Sequence, residues 1–191
     1  KHLTVEIGNN DGGVVHYLAK KKYRNLGVDP SLNVAKSAER KGVSMFNGFF
    51  NDTAASEIRK KYGTAKVFVA QNTLAHIPNI NSVFKGIQKL LSSDGIMVTE
   101  DPYLPLMLQK GSYDQIYDEH VFIFSLTAMK NICAKFNLVV FDVEKLDTAG
   151  GSLRYYICRD KTYKVSSRVR KQINFEKKLK LKNLNTYIKF K

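Results

Sequence analysis

Apolar runs of strand length alternate with amphipathic stretches of helix length from residue 3 to residue 100. The connections between them are short and contain many Gly, Asn, Asp and Ser residues. This alternation is typical of βαβ units, in which parallel strands form a sheet with helices on both faces. Because such crossovers are right-handed, we predict an α/β fold with a Rossmann-like, doubly wound sheet.

Nine elements are predicted in this part of the chain. The strands are Leu3–Ile7, Asn25–Val28, Val43–Phe46, Ala65–Gln71 and Ile96–Glu100. The helices are Gly13–Lys22, Asn33–Lys41, Thr53–Tyr62 and Ile80–Leu91. The last helix is followed by a predicted turn over Ser92–Gly95. The helix Ile80–Leu91 is the best defined of the four, because its apolar residues recur at helical spacing.

The remainder of the chain predicts a different arrangement. A helix over Leu126–Phe136 precedes two strands, Leu138–Leu146 and Ser152–Arg159, which we expect to form an antiparallel pair at the sheet edge. The sheet is therefore predicted to be mostly parallel with an antiparallel edge hairpin. From about Lys164 onward the chain is predicted to be helical, so we divide it into a core, 1–160, and a basic tail, 161–191.

The charge distribution bears on the class of partner. The net charge is +14, but residues 161–191 hold eleven of the 31 basic residues and one acid. An enzyme acting on nucleic acid is expected to have its basic patch near the active site. The excess lies in the tail, so we do not expect a nucleic-acid partner.

Two further absences narrow the class of protein. No run of about 18 apolar residues occurs, so we predict no membrane-spanning helix. The two cysteines, Cys133 and Cys158, do not form a CxxC pair, so we predict no metal site. Two unpaired thiols are typical of a reducing compartment, and we expect a cytoplasmic protein.

The first strand ends in the glycine-rich sequence EIGNNDG (6–12). Gly8 permits a tight turn, and Gly12 stands at the start of the next helix. A dinucleotide site would bind pyrophosphate at that helix N-terminus, but Glu6 and Asp11 would repel it. An amino-acid group and a sulfonium would not be repelled. E-x-G-x-x-x-G is the usual first motif of methyltransferases, so we predict S-adenosylmethionine as cofactor, with an NAD-binding enzyme as the competing interpretation.

Polar residues at other strand ends extend this prediction. Asp29 ends the second strand 21 residues after Gly8, where an acid would bind the ribose diol of a cofactor. Asn72 follows the fourth strand, and ligands of doubly wound sheets lie at the carboxyl ends of strands. The predicted cofactor-binding residues are Glu6, Gly8, Asn9, Asn10, Asp11, Gly12, Asp29, Pro30, Asn51, Asn72 and Leu74.

Several segments narrow the family further. They are VEIGNNDG (5–12), LGVDPSLNVA (26–35), FFN (49–51), AQNTLAHIPN (70–79), EDPYL (100–104), IYDEHVFIFSL (116–126) and GGSLRYYI (150–157). On these segments the chain resembles the bacterial C-methyltransferases that alkylate C-3 of nucleotide-linked keto-deoxysugars. The first two occur in many methyltransferases, whereas Tyr-x-Glu-His with Phe-Ser, and Gly-Gly-Ser-Leu-Arg, are more specific.

The resemblance implies a protein of three parts: a small zinc-bearing N-terminal domain, a methyltransferase core and a C-terminal sugar-binding domain. Residues 1–160 would be the core, and 161–191 the start of the C-terminal domain. A zinc-type cysteine cluster is absent from this sequence. Asp118 and Ala149 stand where the family commonly has histidine, which leaves the exact substrate open.

Methylation of a carbon next to a ketone needs a base that removes a proton. Histidine is a common base because imidazole titrates close to neutral pH. We therefore expect His120 as the base, Glu119 as a ligand of the sugar hydroxyls, Tyr117 as a donor to the developing oxyanion, and His76 in the same pocket. The alternative for His76 is a role in packing or capping. The alternative for Tyr117 is that it is an ordinary half-buried tyrosine.

The predicted function is thus methyl transfer from S-adenosylmethionine to carbon of a nucleotide-linked keto-deoxysugar. The alternatives are a methyltransferase acting on another small acceptor, or a cofactor-binding fragment without activity. A small-molecule partner is expected in either enzyme, and no oligomeric state is predicted. Arg154 is predicted either to bind an anion or to lie on the surface of an edge strand.

Overall fold

One sheet with helices packed against it forms the framework of the computed structural model, which describes residues 2–10 and 13–188. The strands are β1 (Leu3–Ile7), β2 (Asn25–Asp29), β3 (Met45–Asn47), β4 (Ala65–Gln71), β5 (Leu91–Pro102), β6 (Leu138–Leu146) and β7 (Ser152–Arg159). The helices are α1 (Gly13–Lys20), α2 (Leu32–Arg40), α3 (Asp52–Tyr62), α4 (Ile80–Leu90), α5 (Leu104–Lys110), α6 (Leu126–Lys135), α7 (Ser167–Lys178) and α8 (Leu184–Ile188). No helix among these described residues is long and apolar enough to cross a membrane.

The strand order is β3-β2-β1-β4-β5-β7-β6. The strands from β3 to β5 pair in parallel, and β7 pairs antiparallel with both β5 and β6. The order reverses between β1 and β4, which is the switch point of a doubly wound sheet. The predicted fold class is therefore confirmed, including the antiparallel hairpin at one edge.

The main core lies between the sheet and helices α3, α4 and α6. The apolar face of α4 supplies Val83, Phe84 and Ile87 at helical spacing, and all three are buried. A second, smaller cluster joins Val15 of α1 to Ala38 of α2. Separate clusters for the two sets of helices are the result expected when βαβ units cover both faces of a sheet.

Several predicted boundaries differ from the structure. Strand β5 begins at Leu91 instead of Ile96, so the predicted turn over Ser92–Gly95 is wrong. The register between β4 and β5 is irregular over this stretch, and Lys66 pairs with Asp94 there. A bulge of this kind keeps glycine and polar residues within a strand. Strands β1, β4, β6 and β7 have the predicted bounds, and the remaining predicted helices and strands of the core differ by one or two residues at their ends.

Helix α5 was not predicted, because the stretch LPLMLQK (104–110) is too short for helical periodicity to show. Its Pro105 lies in the first turn, where the missing N–H costs nothing. Arg154 also lies elsewhere than predicted. Strand β7 is flanked by β5 and β6, so Arg154 is not on an edge strand.

One contact between the basic tail and the core is made by a buried carboxylate. Glu176 of α7 is 3% exposed. It accepts hydrogen bonds from the Tyr103 hydroxyl (2.6 Å), the Leu126 N–H (2.6 Å), and the N–H (2.9 Å) and hydroxyl (2.5 Å) of Thr127. The start of α6 has N–H groups without partners inside the helix, and Glu176 satisfies two of them. The division of the chain at residue 160 stays a prediction.

Replacement of Glu176 by alanine is expected to lower the free energy of unfolding by about 3 kcal/mol, because it leaves buried donors without an acceptor. Urea denaturation measures the change. Glu57→Ala, an exposed helical glutamate, is the control and should change stability by less than about 0.5 kcal/mol. Equal losses in the two variants would contradict the importance of this carboxylate.

Candidate active site

A cleft of about 1080 Å³ opens at the carboxyl ends of β1 and β4, at the switch point of the sheet. Its lining comes from the loops after β1, β2, β3 and β4 and from a segment near residue 120. The lining residues are Glu6, Ile7, Gly8, Asn9, Asn10, Gly13, Val28, Pro30, Gly48, Phe49, Phe50, Gln71, Asn72, Thr73, His76, Ile77, Asp118, Glu119 and Val121. Most of the predicted site residues therefore meet at one cleft.

The loop after β1 passes very close to the loop after β4. Gly8 has φ +60°, and a Cβ at this position would lie 2.6 Å from the Thr73 side-chain oxygen. Its N–H donates to the carbonyl of Val28 at 2.9 Å, which joins the loop to β2 as well. Only glycine combines this backbone conformation with so close an approach.

Glu6 supports the helix that follows this loop. Its side chain is buried, and Oε2 accepts a hydrogen bond from the Val15 N–H at 2.9 Å. Burial raises the pKa of this carboxyl, and backbone N–H groups of α1 oppose the change. A carboxylate at a helix N-terminus satisfies free donors there. The acid of the E-x-G motif thus fixes the start of α1 at the edge of the cleft.

Asp29 joins the loops after β1 and β2. Its Oδ2 accepts from the Asn10 N–H at 3.2 Å, and its Oδ1 accepts from the Ser31 N–H at 2.9 Å. Its side chain is buried behind the cleft lining, whereas the neighbouring Pro30 lines the cleft. Binding of a ribose by Asp29 stays a prediction.

Other predicted cofactor residues differ in their positions. Asn9 and Asn72 line the cleft. Asn51 is the N-cap of α3 and accepts from two N–H groups at 2.9 Å, away from the lining. Leu74 is fully buried in the core. Asp11 and Gly12 lie outside the described residues.

Phe49 was missed by the sequence analysis. It follows β3, lines the cleft and is 76% exposed, which is unusual for a large apolar side chain. An exposed aromatic face beside a cleft can stack on a planar ligand group. The available signal was its position directly after the third parallel strand, where cofactor loops occur.

The short 3₁₀ turn Leu74–His76, here called the 74–76 turn, follows β4. It is hydrogen-bonded to the segment that contains the predicted catalytic residues Glu119 and His120. The Ala75 carbonyl accepts from the N–H groups of Val121 (2.9 Å) and Phe122 (3.1 Å). His76 Nδ1 lies 2.9 Å from the carbonyl oxygen of Glu119, and donates to it because a carbonyl only accepts. These hydrogen bonds hold residues 119–122 against the turn.

His120 makes hydrogen bonds with both ring nitrogens. Nδ1 lies 2.8 Å from the carbonyl oxygen of Gln115, so this nitrogen carries the proton. Nε2 then accepts from the Tyr117 hydroxyl at 2.9 Å. The rings of His120 and His76 have centroids 4.9 Å apart. The four residues predicted as catalytic are therefore neighbours, although His120 and Tyr117 lie just outside the lining that His76 and Glu119 form.

Asp101, at the end of β5, lies beneath the 74–76 turn and was not predicted. It is fully buried, and its Oδ1 accepts from the Ala75 N–H at 3.2 Å. Its Oδ2 accepts from the Thr99 hydroxyl at 2.9 Å. Burial raises the pKa of Asp101 to about 7, and the negative charge of Glu100 adds to this.

Arg154 does not serve as a free anion-binding group. Its guanidinium donates to Glu100 at 2.9 and 3.3 Å, and to Glu144 at 3.3 Å. Glu100 also accepts from the Thr148 hydroxyl at 2.8 Å. The arginine links neighbouring strands of the sheet through carboxylates, which replaces both roles predicted for it.

Residues 4–143 match the family described as "Methyltransferase domain". The chain belongs to this family. Residues 147–191 match the family described as "C-methyltransferase C-terminal domain". The predicted methyltransferase family is confirmed. The predicted cofactor, S-adenosylmethionine, is confirmed with it.

A curated relative and several solved structures are similar to the chain. The C-methyltransferase NovU of Streptomyces niveus is 34% identical over 151 residues, which are 79% of this chain and 36% of the relative. The chain thus spans about a third of the length of that relative.

The solved structures establish the fold alone, because their sequence identity is low. The magnesium protoporphyrin IX methyltransferase of Synechocystis, determined with bound SAH, has a TM-score of 0.63 at 12% identity, and covers 83% of this chain and 74% of its own. An O-methyltransferase from a polyketide synthase of Brevibacillus brevis, also with S-adenosylhomocysteine, has a TM-score of 0.64 at 12% identity, with coverage of 93% and 73%.

Gly8→Ala is expected to weaken binding of S-adenosylhomocysteine about 10-fold or more, because the new methyl group forces apart two loops of the cleft. Isothermal titration calorimetry measures the dissociation constant. The matched control is Gly111→Ala, where φ is +64° but no atom lies within 4 Å of the added Cβ. Equal affinities in the two variants would contradict a role of the loop contact in binding.

Asp101 also predicts a pH dependence of stability. Between its ordinary pKa of 3.8 and about 7, the folded chain holds a proton that the unfolded chain has released. The free energy of unfolding should therefore fall as pH rises through this range, by up to about 1.4 kcal/mol per pH unit. Asp101→Asn should remove this slope. Urea denaturation at pH 5, 6, 7 and 8 tests it, and parallel profiles for the two proteins would contradict it.

Proposed function

We propose that this chain catalyses the transfer of a methyl group from S-adenosylmethionine to carbon of a nucleotide-linked keto-deoxysugar. The observation that carries the proposal is the Tyr117–His120 pair, which lies beside His76 at the rim of the cleft. The sequence similarity to a C-methyltransferase and the specific segments around residues 116–126 and 150–157 support carbon as the acceptor atom.

The volume of the cleft is suited to S-adenosylmethionine. Ligand sites commonly have volumes of about 300–1,000 Å³, and this cleft has about 1080 Å³. Gly8 permits close approach of a ligand to the backbone, and the exposed face of Phe49 is suited to stacking on a planar base. When bound, S-adenosylmethionine supplies an electrophilic methyl group.

His120 is suited to act as the base. The Gln115 carbonyl fixes the proton on Nδ1, so the lone pair of Nε2 is the basic site. This lone pair is hydrogen-bonded to the Tyr117 hydroxyl. A ketone oxygen near Tyr117 would compete for that hydroxyl and release Nε2 to accept a proton from the adjacent carbon.

The proton and the electron pair balance in this step. The C–H bond breaks, the proton moves to Nε2 of His120, and the electron pair remains on the substrate as an enolate. The Tyr117 hydroxyl donates to the enolate oxygen, which lowers the energy of the charge that develops there. Positioning of the reacting carbon contributes much of the remaining rate enhancement.

The acceptor is proposed to bind beside this pair. Asp118 and Glu119 line the cleft, and carboxylates accept hydrogen bonds from sugar hydroxyls. The alternative substrate is another small molecule with an acidic C–H group. Asp118 favours this alternative in one respect, because it stands where the resembling family commonly has histidine.

Activity of the chain without further domains is a separate proposal, since it spans 36% of its curated relative. A fragment that binds cofactor but does not turn over would keep the cleft and lose acceptor binding. The free thiols of Cys133 and Cys158 are both buried, which agrees with the expected cytoplasmic location.

His120→Asn is expected to lower turnover of a TDP-linked 3-keto-deoxysugar by about 10²- to 10⁴-fold, because it removes the basic nitrogen. Binding of S-adenosylhomocysteine should stay within about threefold, since His120 does not line the cleft. His2→Asn, at an exposed histidine, is the matched control. Methyl transfer is followed by mass spectrometry of the sugar product.

His76→Asn separates the two candidate bases, because Nε2 of His76 makes no hydrogen bond within the described residues. If His76→Asn abolishes turnover and His120→Asn does not, His76 is the base. If neither changes the rate, the proposed chemistry is wrong. Cofactor binding without turnover by the wild type would support the inactive fragment instead.

A further inference from the structure

We propose that Asp101 is a positioning residue for this reaction: it holds the 74–76 turn, and through that turn the Glu119–His120 segment, at the rim of the cleft. The proposal rests on the proposed function for its catalytic meaning. The structural link itself, from a buried carboxylate to two histidine rings, can be tested without any substrate.

The first part of the link is the contact between Asp101 and the turn. The carboxylate is fully buried at the end of β5, and Oδ1 accepts from the Ala75 N–H at 3.2 Å. Thr73, which precedes the turn, makes no capping hydrogen bond to it with its side chain. Its hydroxyl donates instead to the carbonyl of Gln71 at 2.7 Å. Asp101 therefore takes the place of the missing cap.

The second part of the link lies on the other side of Ala75. Its carbonyl accepts from the N–H groups of both Val121 and Phe122. The next residue, His76, is bonded through Nδ1 to the carbonyl of Glu119. A shift of the 74–76 turn would therefore move His76 directly, and His120 through residues 119–122.

The hydrogen-bond partners of Asp101 are the next observation. Within the described residues it makes no salt bridge, and its hydrogen-bond partners, the Ala75 N–H and the Thr99 hydroxyl, are neutral donors. Glu100 on the same strand is also acidic, and the neighbouring Tyr155 on β7 is fully buried. Burial of an unpaired carboxylate is unfavourable, and hydrogen-bond donors must compensate for it. The Ala75 N–H is one of these donors.

A series of substitutions distinguishes the hydrogen-bonding role of the Asp101 side chain from its role in filling space. Asp101→Asn keeps an oxygen for the Ala75 N–H, while its amide N–H can donate to the Thr99 hydroxyl. Asp101→Leu has a similar volume and no acceptor. Thr99→Val removes one donor from the same carboxylate and is the milder variant if Asp101→Leu does not fold. The matched control is Thr127→Val, which removes a hydroxyl donor from the buried carboxylate of Glu176, outside the cleft.

Histidine-selective NMR of the full chain provides the readout. The chain has four histidines, so His2 and His16 serve as internal controls for His76 and His120. In Asp101→Leu, we expect the ring signals of His76 and His120 to shift or broaden, with a changed ratio of the two tautomers. Asp101→Asn should restore most of the wild-type spectrum, and Thr127→Val should leave it unchanged.

Kinetics connect this result to the reaction. Asp101→Leu or, if it does not fold, Thr99→Val should lower kcat for the TDP-linked 3-keto-deoxysugar, by about 10- to 100-fold for a displacement near 1 Å. The dissociation constant of S-adenosylhomocysteine should change by less than about threefold. If the wild type is inactive but the His76 and His120 signals still shift in the Asp101 variants, the proposed function is wrong and the positional link holds.

Two results would overturn the positioning role. One is a set of His76 and His120 signals that coincide with the wild type in every folded Asp101 and Thr99 variant. The other is an equal shift of all four histidine signals, or an equal effect of Thr127→Val, which would indicate a general loss of stability. Either outcome assigns Asp101 to the fold and not to the site.

Discussion

The parallel pairing of β1 with β4 is the constraint on which the site depends. These strands are adjacent in the sheet although a long stretch of chain separates them, and their carboxyl ends meet at the point where the strand order reverses. The loop at Gly8 and the loop at Thr73 consequently touch. The loop after β1 lines the cleft with Gly8, and the loop after β4 lines it with Thr73 and His76, so this single pairing brings together two of the segments that form the cleft.

Buried carboxylates support the start of two helices and of the 74–76 turn. Glu6 accepts from an N–H of α1, Asp101 from the 74–76 turn and Glu176 from α6. Each comes from a different part of the chain than the helix it serves. This arrangement satisfies backbone donors that a helix leaves free at its start, and it fixes the helix relative to the sheet. The Asp101 and Glu176 contacts join residues that are 26 and 50 positions apart in the sequence.

The sequence predicted the fold well because strand and helix periodicities differ clearly in this chain. Strand β4 and both strands of the hairpin have the predicted bounds. The predicted catalytic residues also lie together, since strand ends converge in this fold. Asp101 was missed because an isolated acid at a strand end has no periodic signal. The partner of His120 was equally inaccessible, because it is a backbone carbonyl whose position depends on the tertiary fold.

The position of β7 has a consequence for the evolution and engineering of such proteins. The methyltransferase-domain match ends at residue 143, within β6, and the C-terminal match begins at residue 147 and contains β7. Yet β7 is inserted between β5 and β6 in the sheet. A recombination junction between the two matched regions would place β7 of one parent between β5 and β6 of the other. Chimaeras between relatives should therefore exchange residues 138–159 as one block, so that the shared sheet is inherited intact.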